Sequence, residues 1–177
     1  MFIVDKLPKS ITAESYRSLR TNIQYSSIDK QVKTLVVTSS NAGEVKSTVS
    51  GNLAYTFFQS GKRVLIIDCD LRKPSLHRKF NVSNEVGLTD VLVGTSELNK
   101  VMKKIDDNLY LLTTGTLPPN PAEIIGSNTM ENFLNECKIN FDYIILDTPP
   151  ILPVTDSKLL SIKRSEEHTS ELQSLHS

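Results

Sequence analysis

The sequence predicts an α/β protein built on a parallel sheet with helices on both faces. Three observations carry this. Short, continuous apolar runs ("KTLVVTSS", "KRVLIIDCD", "NLYLLTTG", "YIILDTPP") read as buried strands. Segments of helical spacing lie between them, long enough to serve as crossovers between parallel strands. The 177 residues fit one domain with a useful core.

The elements follow in order. "ITAESYRSLRTNIQYSS" places Tyr16, Leu19 and Ile23 at helical spacing, and "KTLVVTSS" is a β-branched run closing in turn residues. "KSTVSGNLAYTFFQSG" puts Val49, Leu53, Ala54 and Phe57 on one stripe, with Gly61 where a C-terminal cap belongs. "KRVLIIDCD" is a strand ending in acids. A helix is expected around "GLTDVLVGTSEL", then a strand "NLYLLTTG", a turn "TLPPNP", a helix "AEIIGSNTMENFLNECK" and a strand "YIILDTPP". No internal repeat interrupts this order.

Composition narrows the partners. Twenty basic and twenty acidic residues cancel and are spread along the chain, which gives no basic patch for nucleic acid or an anionic membrane. No apolar stretch reaches the roughly 18 residues of a membrane span, and the start lacks a signal-peptide pattern, so the expected location is the cytoplasm. Cys69 and Cys137 lie far apart, and the three histidines do not cluster, which leaves disulfide and zinc readings without support.

Three predicted strands end in residues suited to a phosphate and its metal: "VVTSSNAGEVKST", "LIIDCDLRKP" and "IILDTPP". In a parallel sheet these carboxyl ends meet on one edge, where ligands bind. The first resembles the phosphate loop G-x-x-x-x-G-K-[ST], with Gly43, Glu44, Val45, Lys46, Ser47 and Thr48 leading into a helix whose N-terminal N–H groups favour an anion. Lys46 is a point charge for phosphate, and Ser47 is a ligand for Mg²⁺. Asp68, Asp70 and Asp147 are hard oxygen donors, also suited to Mg²⁺. Singly, each piece reads as a helix start, a turn cap or a rigid turn; three matched strand ends together point to a nucleotide-binding fold of the P-loop NTPase kind.

These residues resemble the bacterial tyrosine kinases of capsule and exopolysaccharide synthesis in their soluble form, over about Leu7 to Lys163. The resemblance rests on "LIIDCDLRKP", "IILDTPP", "GLTDVLVG", "PPNPAEIIGS" and the E-x-x-R-x-x-R pattern of Glu14, Arg17 and Arg20 in "ESYRSLR". It implies ATP and Mg²⁺ as ligands, with Lys46 on the phosphates, Ser47, Asp70 and Asp147 serving the metal, and Asp68 accepting the tyrosine hydroxyl proton. Arg72 is a weaker candidate for added positive charge. Glu14, Arg17 and Arg20 are then a subunit contact in a homo-oligomeric ring. The implied partners are tyrosine-bearing proteins and a separate transmembrane adaptor that recruits the chain to the inner face of the membrane. Cys69 is expected to be a buried strand residue rather than a nucleophile. The other readings are an ATPase of the ParA/MinD kind, whose extra early loop lysine is missing here, and an oligomerisation module that has lost its nucleotide.

Two departures stand out. Val45 occupies a position where the family has glycine, and it is expected to cost about 1–3 kcal/mol of backbone strain besides crowding the nucleotide. After Lys163 the text "RSEEHTSELQS" reads as the in-frame translation of a sequencing-library adapter. Residues 1–163 are therefore expected to form the kinase domain, lacking its last strand or strands, and 164–177 a non-native tail. The tyrosines Tyr16, Tyr25, Tyr55, Tyr110 and Tyr143 are scattered and form no substrate cluster.

Overall fold

The computed structural model describes residues 2–26, 32–39 and 45–150. The final strands expected of a longer domain, the boundary at 163, the adapter-like tail, Gly43 and Glu44 all lie outside the described residues.

Helix α1 (Ile3–Lys6) leads into α2 (Ile11–Tyr25), whose cap is Ser10: its Oγ accepts the Ala13 N–H at 3.1 Å. Strand β1 (Thr34–Val37), helix α3 (Lys46–Gln59) and strand β2 (Val64–Asp68) form the first β-loop-α-β unit. Gly61 takes φ +79° just past the end of α3, the left-handed stop that glycine permits. Then come α4 (Leu76–Phe80), α5 (Leu88–Leu92), α6 (Leu98–Val101), β3 (Lys103–Asp106), β4 (Leu109–Leu112), α7 (Pro121–Ile125), α8 (Asn128–Asn140) and β5 (Tyr143–Asp147).

The strand order is β1-β5-β2-β4-β3. The pairs β1–β5, β5–β2 and β2–β4 are parallel, as expected. One edge strand not read from the sequence, β3, pairs antiparallel with β4 because only Asp107 and Asn108 separate them and so short a connection closes a hairpin. Lys104 and Asp106 face solvent on this edge, which discourages further pairing.

Two expectations are corrected. "GLTDVLVGTSEL" forms two short helices, because Gly94 adopts φ +79° and ends the first. "AEIIGSNTMENFLNECK" also divides, because Ser127 caps a new helix by accepting the Met130 N–H at 3.2 Å.

Side-chain alternation along the strands builds a core on each face. Leu65, Ile67, Ile144 and Leu146 pack with Met130, Phe133 and Leu134 of α8; Val64, Ile66, Tyr143 and Ile145 pack with Leu53, Ala54 and Phe57 of α3. Strands β2 and β5 are buried throughout, so a polar side chain there must be satisfied within the protein. The "GLTDVLVG" segment is architectural: Asp90 Oδ2 accepts the Gly87 N–H at 2.8 Å, and its Oδ1 accepts the Thr116 hydroxyl at 3.0 Å. These bonds tie α5 to the loop after β4.

A candidate phosphate and metal site at three strand ends

Because β5 lies between β1 and β2, its last residue is in register with the ends of both, Asp147 facing Val37 on one side and Asp68 on the other. Backbone bonds continue past the strands: Cys69 N–H donates to Asp147 O at 2.8 Å, and Thr148 N–H donates to Val37 O at 3.0 Å. The three carboxyl ends predicted to meet are joined.

Helix α3 starts at this edge. Its N-cap, Val45, offers no side-chain bond, and its first turn holds no acidic residue, so the positive end of a 14-residue helix is left without a negative side chain of its own. Val45 has φ −73° and ψ 31°. This corrects the expected strain: a negative φ is open to valine, and the backbone here does not require glycine. The side chain is 69% exposed, so crowding of a ligand is the remaining way for Val45 to act.

Ser47 Oγ donates to Asp147 Oδ2 at 2.5 Å and lies 2.5 Å from Ser75 Oγ; Ser50 Oγ donates to Asp147 Oδ1 at 2.9 Å. Burial raises the Asp147 carboxyl, opposed by the two serine bonds and by the charge of Lys46. Asp68 is held differently. Its Oδ2 accepts the N–H groups of Ser75 and Leu76, both at 2.9 Å, and its Oδ1 accepts the Asp70 N–H at 3.2 Å. Burial pushes this carboxyl up to about 7; the Leu76 N–H opposes the rise, and neighbouring Asp147 adds to it. Asp70 is half-buried and accepts the Lys73 N–H at 2.9 Å. Cys69 is buried, and burial raises its thiol well above the ordinary range, which fits a packing residue.

The structure thus brings Lys46, Ser47, Asp68, Asp70 and Asp147 to one edge, with Thr48 in the first turn of α3. Arg72 is exposed on the loop after β2. Sequence reasoning missed Ser50, Ser75 and Lys79, whose Nζ donates to Thr48 Oγ1 at 2.9 Å. Ser50 was findable, being three residues from Ser47 and on the same helix face. Ser75 and Lys79 depend on where the loop after β2 returns, which no local pattern encodes.

Among the described residues no three His, Cys, Asp or Glu side chains gather as a metal cage. The donors at the edge are oxygens alone, from Ser47, Asp70 and Asp147. That set suits Mg²⁺, which binds through one or two carboxylates and substrate phosphate rather than through an all-protein cage.

The implied subunit contact sits elsewhere. Glu14 and Arg17 pair at 2.7 Å on α2, and Arg17 also donates to Pro8 O. Arg20 donates to Thr56 O of α3 at 3.3 Å. Of the tyrosines, Tyr25 is exposed, Tyr143 is buried, and Tyr16, Tyr55 and Tyr110 are half-buried.

A family model described as an AAA domain matches residues 32–165. The tyrosine-protein kinase YwqD of Bacillus subtilis is 46% identical over 154 residues, covering 86% of this chain and 65% of that protein. The putative tyrosine-protein kinase CapB of Staphylococcus aureus is 38% identical over 160 residues, covering 90% and 70%. The chain belongs to the bacterial tyrosine-protein kinase family. Among solved structures, the chimerical protein CapA2B2 superposes with a TM-score of 0.84 at 39% identity, covering 90% of this chain and 71% of that one. The kinase domain of the Escherichia coli tyrosine kinase ETK gives 0.84 at 35% identity, covering 93% and 64%. The septum site-determining protein MinD of Pyrococcus horikoshii, solved with Mg-ADP, is more distant, at 0.59 and 25% identity over 73% of this chain and 54% of that one. These tyrosine kinases and MinD share the P-loop NTPase-like sheet. The chain spans about two thirds of the Bacillus protein and 22% of the longer Escherichia coli kinase etk. Among the described residues no helix is long and apolar enough to cross a membrane.

Proposed function

We propose that this chain carries the nucleotide site of an ATP-dependent protein-tyrosine kinase that regulates capsular or extracellular polysaccharide synthesis and export. The observation that carries the reading is the cluster at the start of α3: Lys46 and Ser47 in a first turn without acids, Ser47 bonded to Asp147, and Asp68 and Asp70 on the next strand end.

Lys46 neutralises phosphate oxygens. The Ser47 hydroxyl, with Asp147 behind it and Asp70 beside it, forms the seat for Mg²⁺. When bound, Mg²⁺ supplies charge neutralisation at the transferring phosphoryl group. Ser47 must then turn a lone pair outward, which its single-bond rotation allows while Asp147 keeps hold of its proton. Glu44, Val45 and Gly43 complete the loop in this reading. A carboxyl titrating near 7 is well matched to accepting the tyrosine hydroxyl proton at neutral pH. Ser75 and Leu76 hold Oδ2, and Oδ1, which accepts the Asp70 N–H at 3.2 Å, keeps a lone pair for that proton.

The substrates in this reading are tyrosines on neighbouring copies and other proteins, with autophosphorylation within a homo-oligomeric ring contacted through Glu14, Arg17 and Arg20. A transmembrane adaptor recruits the chain to the inner face of the membrane from the cytoplasm. Because Arg20 also bonds α3, its replacement tests the ring only if unfolding is measured alongside. Residues 1–163 are taken as the domain and 164–177 as foreign; independently prepared source DNA encoding the same tail would refute this.

The decisive assay follows phosphate from labelled ATP to poly(Glu,Tyr) in the presence of Mg²⁺. Transfer that disappears in Lys46→Ala supports the reading. Steady release of inorganic phosphate with no phosphotyrosine would favour a MinD-like ATPase instead.

A further inference from the structure

We propose that Lys79 is a second phosphate-binding lysine of this site, reaching it from outside the loop motif, and that it serves the phosphate on the nucleoside side of the one held by Lys46. The inference rests on the nucleotide reading above.

The geometry starts with how α4 is anchored. Its first residues are fixed to the site by Asp68, which holds Ser75 and Leu76, and by the 2.5 Å approach of the Ser75 and Ser47 hydroxyls. Lys79 follows Ser75 by four residues and so lies over the same side of α4, the side turned to α3. Its Nζ reaches Thr48 Oγ1 at 2.9 Å. Thr48 is the third residue of α3, and Lys46 is the first.

The charges explain why this is a binding feature. The ion pairs among the described residues join Lys6 to Asp5, Arg17 to Glu14, Lys100 to Glu97 and Lys104 to Asp107; none involves Lys79. Two lysines and the positive end of a helix therefore gather around one turn that has no acid of its own. An ammonium has three donors, and the bond to Thr48 uses one of them. The Asp147 carboxyl already faces the charge of Lys46; for Lys79, phosphate oxygens supply a negative partner and acceptors for its two remaining donors. In phosphate loops the backbone of the turn cradles the α- and β-phosphates, while the loop lysine reaches the β- and γ-phosphates. A cation over Thr48 is thus placed on the α/β side. Arg78, its neighbour on the exposed rim of α4, carries the same charge and no bond to α3, and serves as the internal control.

The test measures ATP and ADP affinity of the full chain by titration calorimetry, with Mg²⁺ present, for the unmodified protein, Lys46→Ala, Lys79→Gln, Lys79→Arg and Arg78→Gln. Lys79→Gln should weaken ATP and ADP alike, by about three- to tenfold, while Lys79→Arg and Arg78→Gln bind as the parent does. In parallel, ADP should protect Lys79 from acetylation and leave exposed Lys9 unprotected. Affinity that falls in Lys46→Ala but not in Lys79→Gln, or equal acetylation of Lys79 with and without ADP, overturns the proposal alone. No nucleotide binding by the parent chain overturns the nucleotide reading and this inference with it. Loss in both Lys79 variants, with a lowered unfolding midpoint, would show that Lys79 only braces α4 and overturns its binding role.

Discussion

Strands β2 and β5 lie side by side, are buried along their length and end in register on Asp68 and Asp147, yet the two carboxylates are held by different kinds of partner. Asp68 is held by three backbone N–H groups, two of which start α4. Asp147 is held by the hydroxyls of Ser47 and Ser50. Backbone donors are fixed by the fold, and removing their acceptor leaves them buried and unpaired. Hydroxyls rotate and can exchange one acceptor for another. The contrast separates a carboxylate that ties the chain together from one whose hydroxyl partners can keep their bond to it and still turn a lone pair to an incoming ion.

The largest break in this comparison should come from Asp68→Ala, which strands the Ser75 and Leu76 N–H groups. A loss of about 2–4 kcal/mol is expected, read from urea unfolding. A pH series sharpens it. The folded Asp68 carboxyl is raised to about 7, so between the ordinary carboxylate range and that value the folded state keeps a proton that the unfolded state has lost. Its contribution to stability is therefore full below about pH 4 and is lost as pH rises to about 7. Asp68→Asn should flatten most of that slope, leaving the smaller one from Asp147, which is raised as well. An unchanged slope would mean that Asp68 is not the titrating group.

Asp147→Asn should do the reverse. The amide keeps an acceptor for one serine, and its stability cost is expected to stay under about 1 kcal/mol. Mg²⁺-dependent nucleotide affinity should fall about tenfold, a drop of about 1.4 kcal/mol. A large stability loss with unchanged Mg²⁺ dependence would erase the distinction between the two strand ends. The smallest effect on folding is expected at Val45→Gly. With φ already at −73° and the residue at the N-cap, where glycine serves at least as well as valine, the unfolding free energy should change by less than about 0.5 kcal/mol, while nucleotide affinity rises because an exposed side chain leaves the approach to α3. Equal affinity in both forms would clear Val45 of any part in binding.

Much of this was legible before any coordinates. The apolar runs ending in Asp68 and Asp147 predicted two buried strands, and the parallel rule placed their ends together. What escaped was set by returns of the chain rather than by local pattern. The antiparallel β3 hides in a charged stretch, "KKID", whose alternation is too short to read against the turn beside it. Ser75 and Lys79 reach the site because the loop after β2 folds back onto Asp68. The strain expected at Val45 came from carrying a family glycine onto a backbone that here has a negative φ.

Cys69, wedged between the two acids, has one more consequence. It and Cys137 are both buried, with thiols raised well above the ordinary range in the first case and to about 12 in the second. Only thiolates react readily with alkylating dyes and oxidants. The folded chain should therefore resist a maleimide label, and the unfolded chain should take up two. Dye uptake over time would then count global opening one molecule at a time, with no reporter group engineered in.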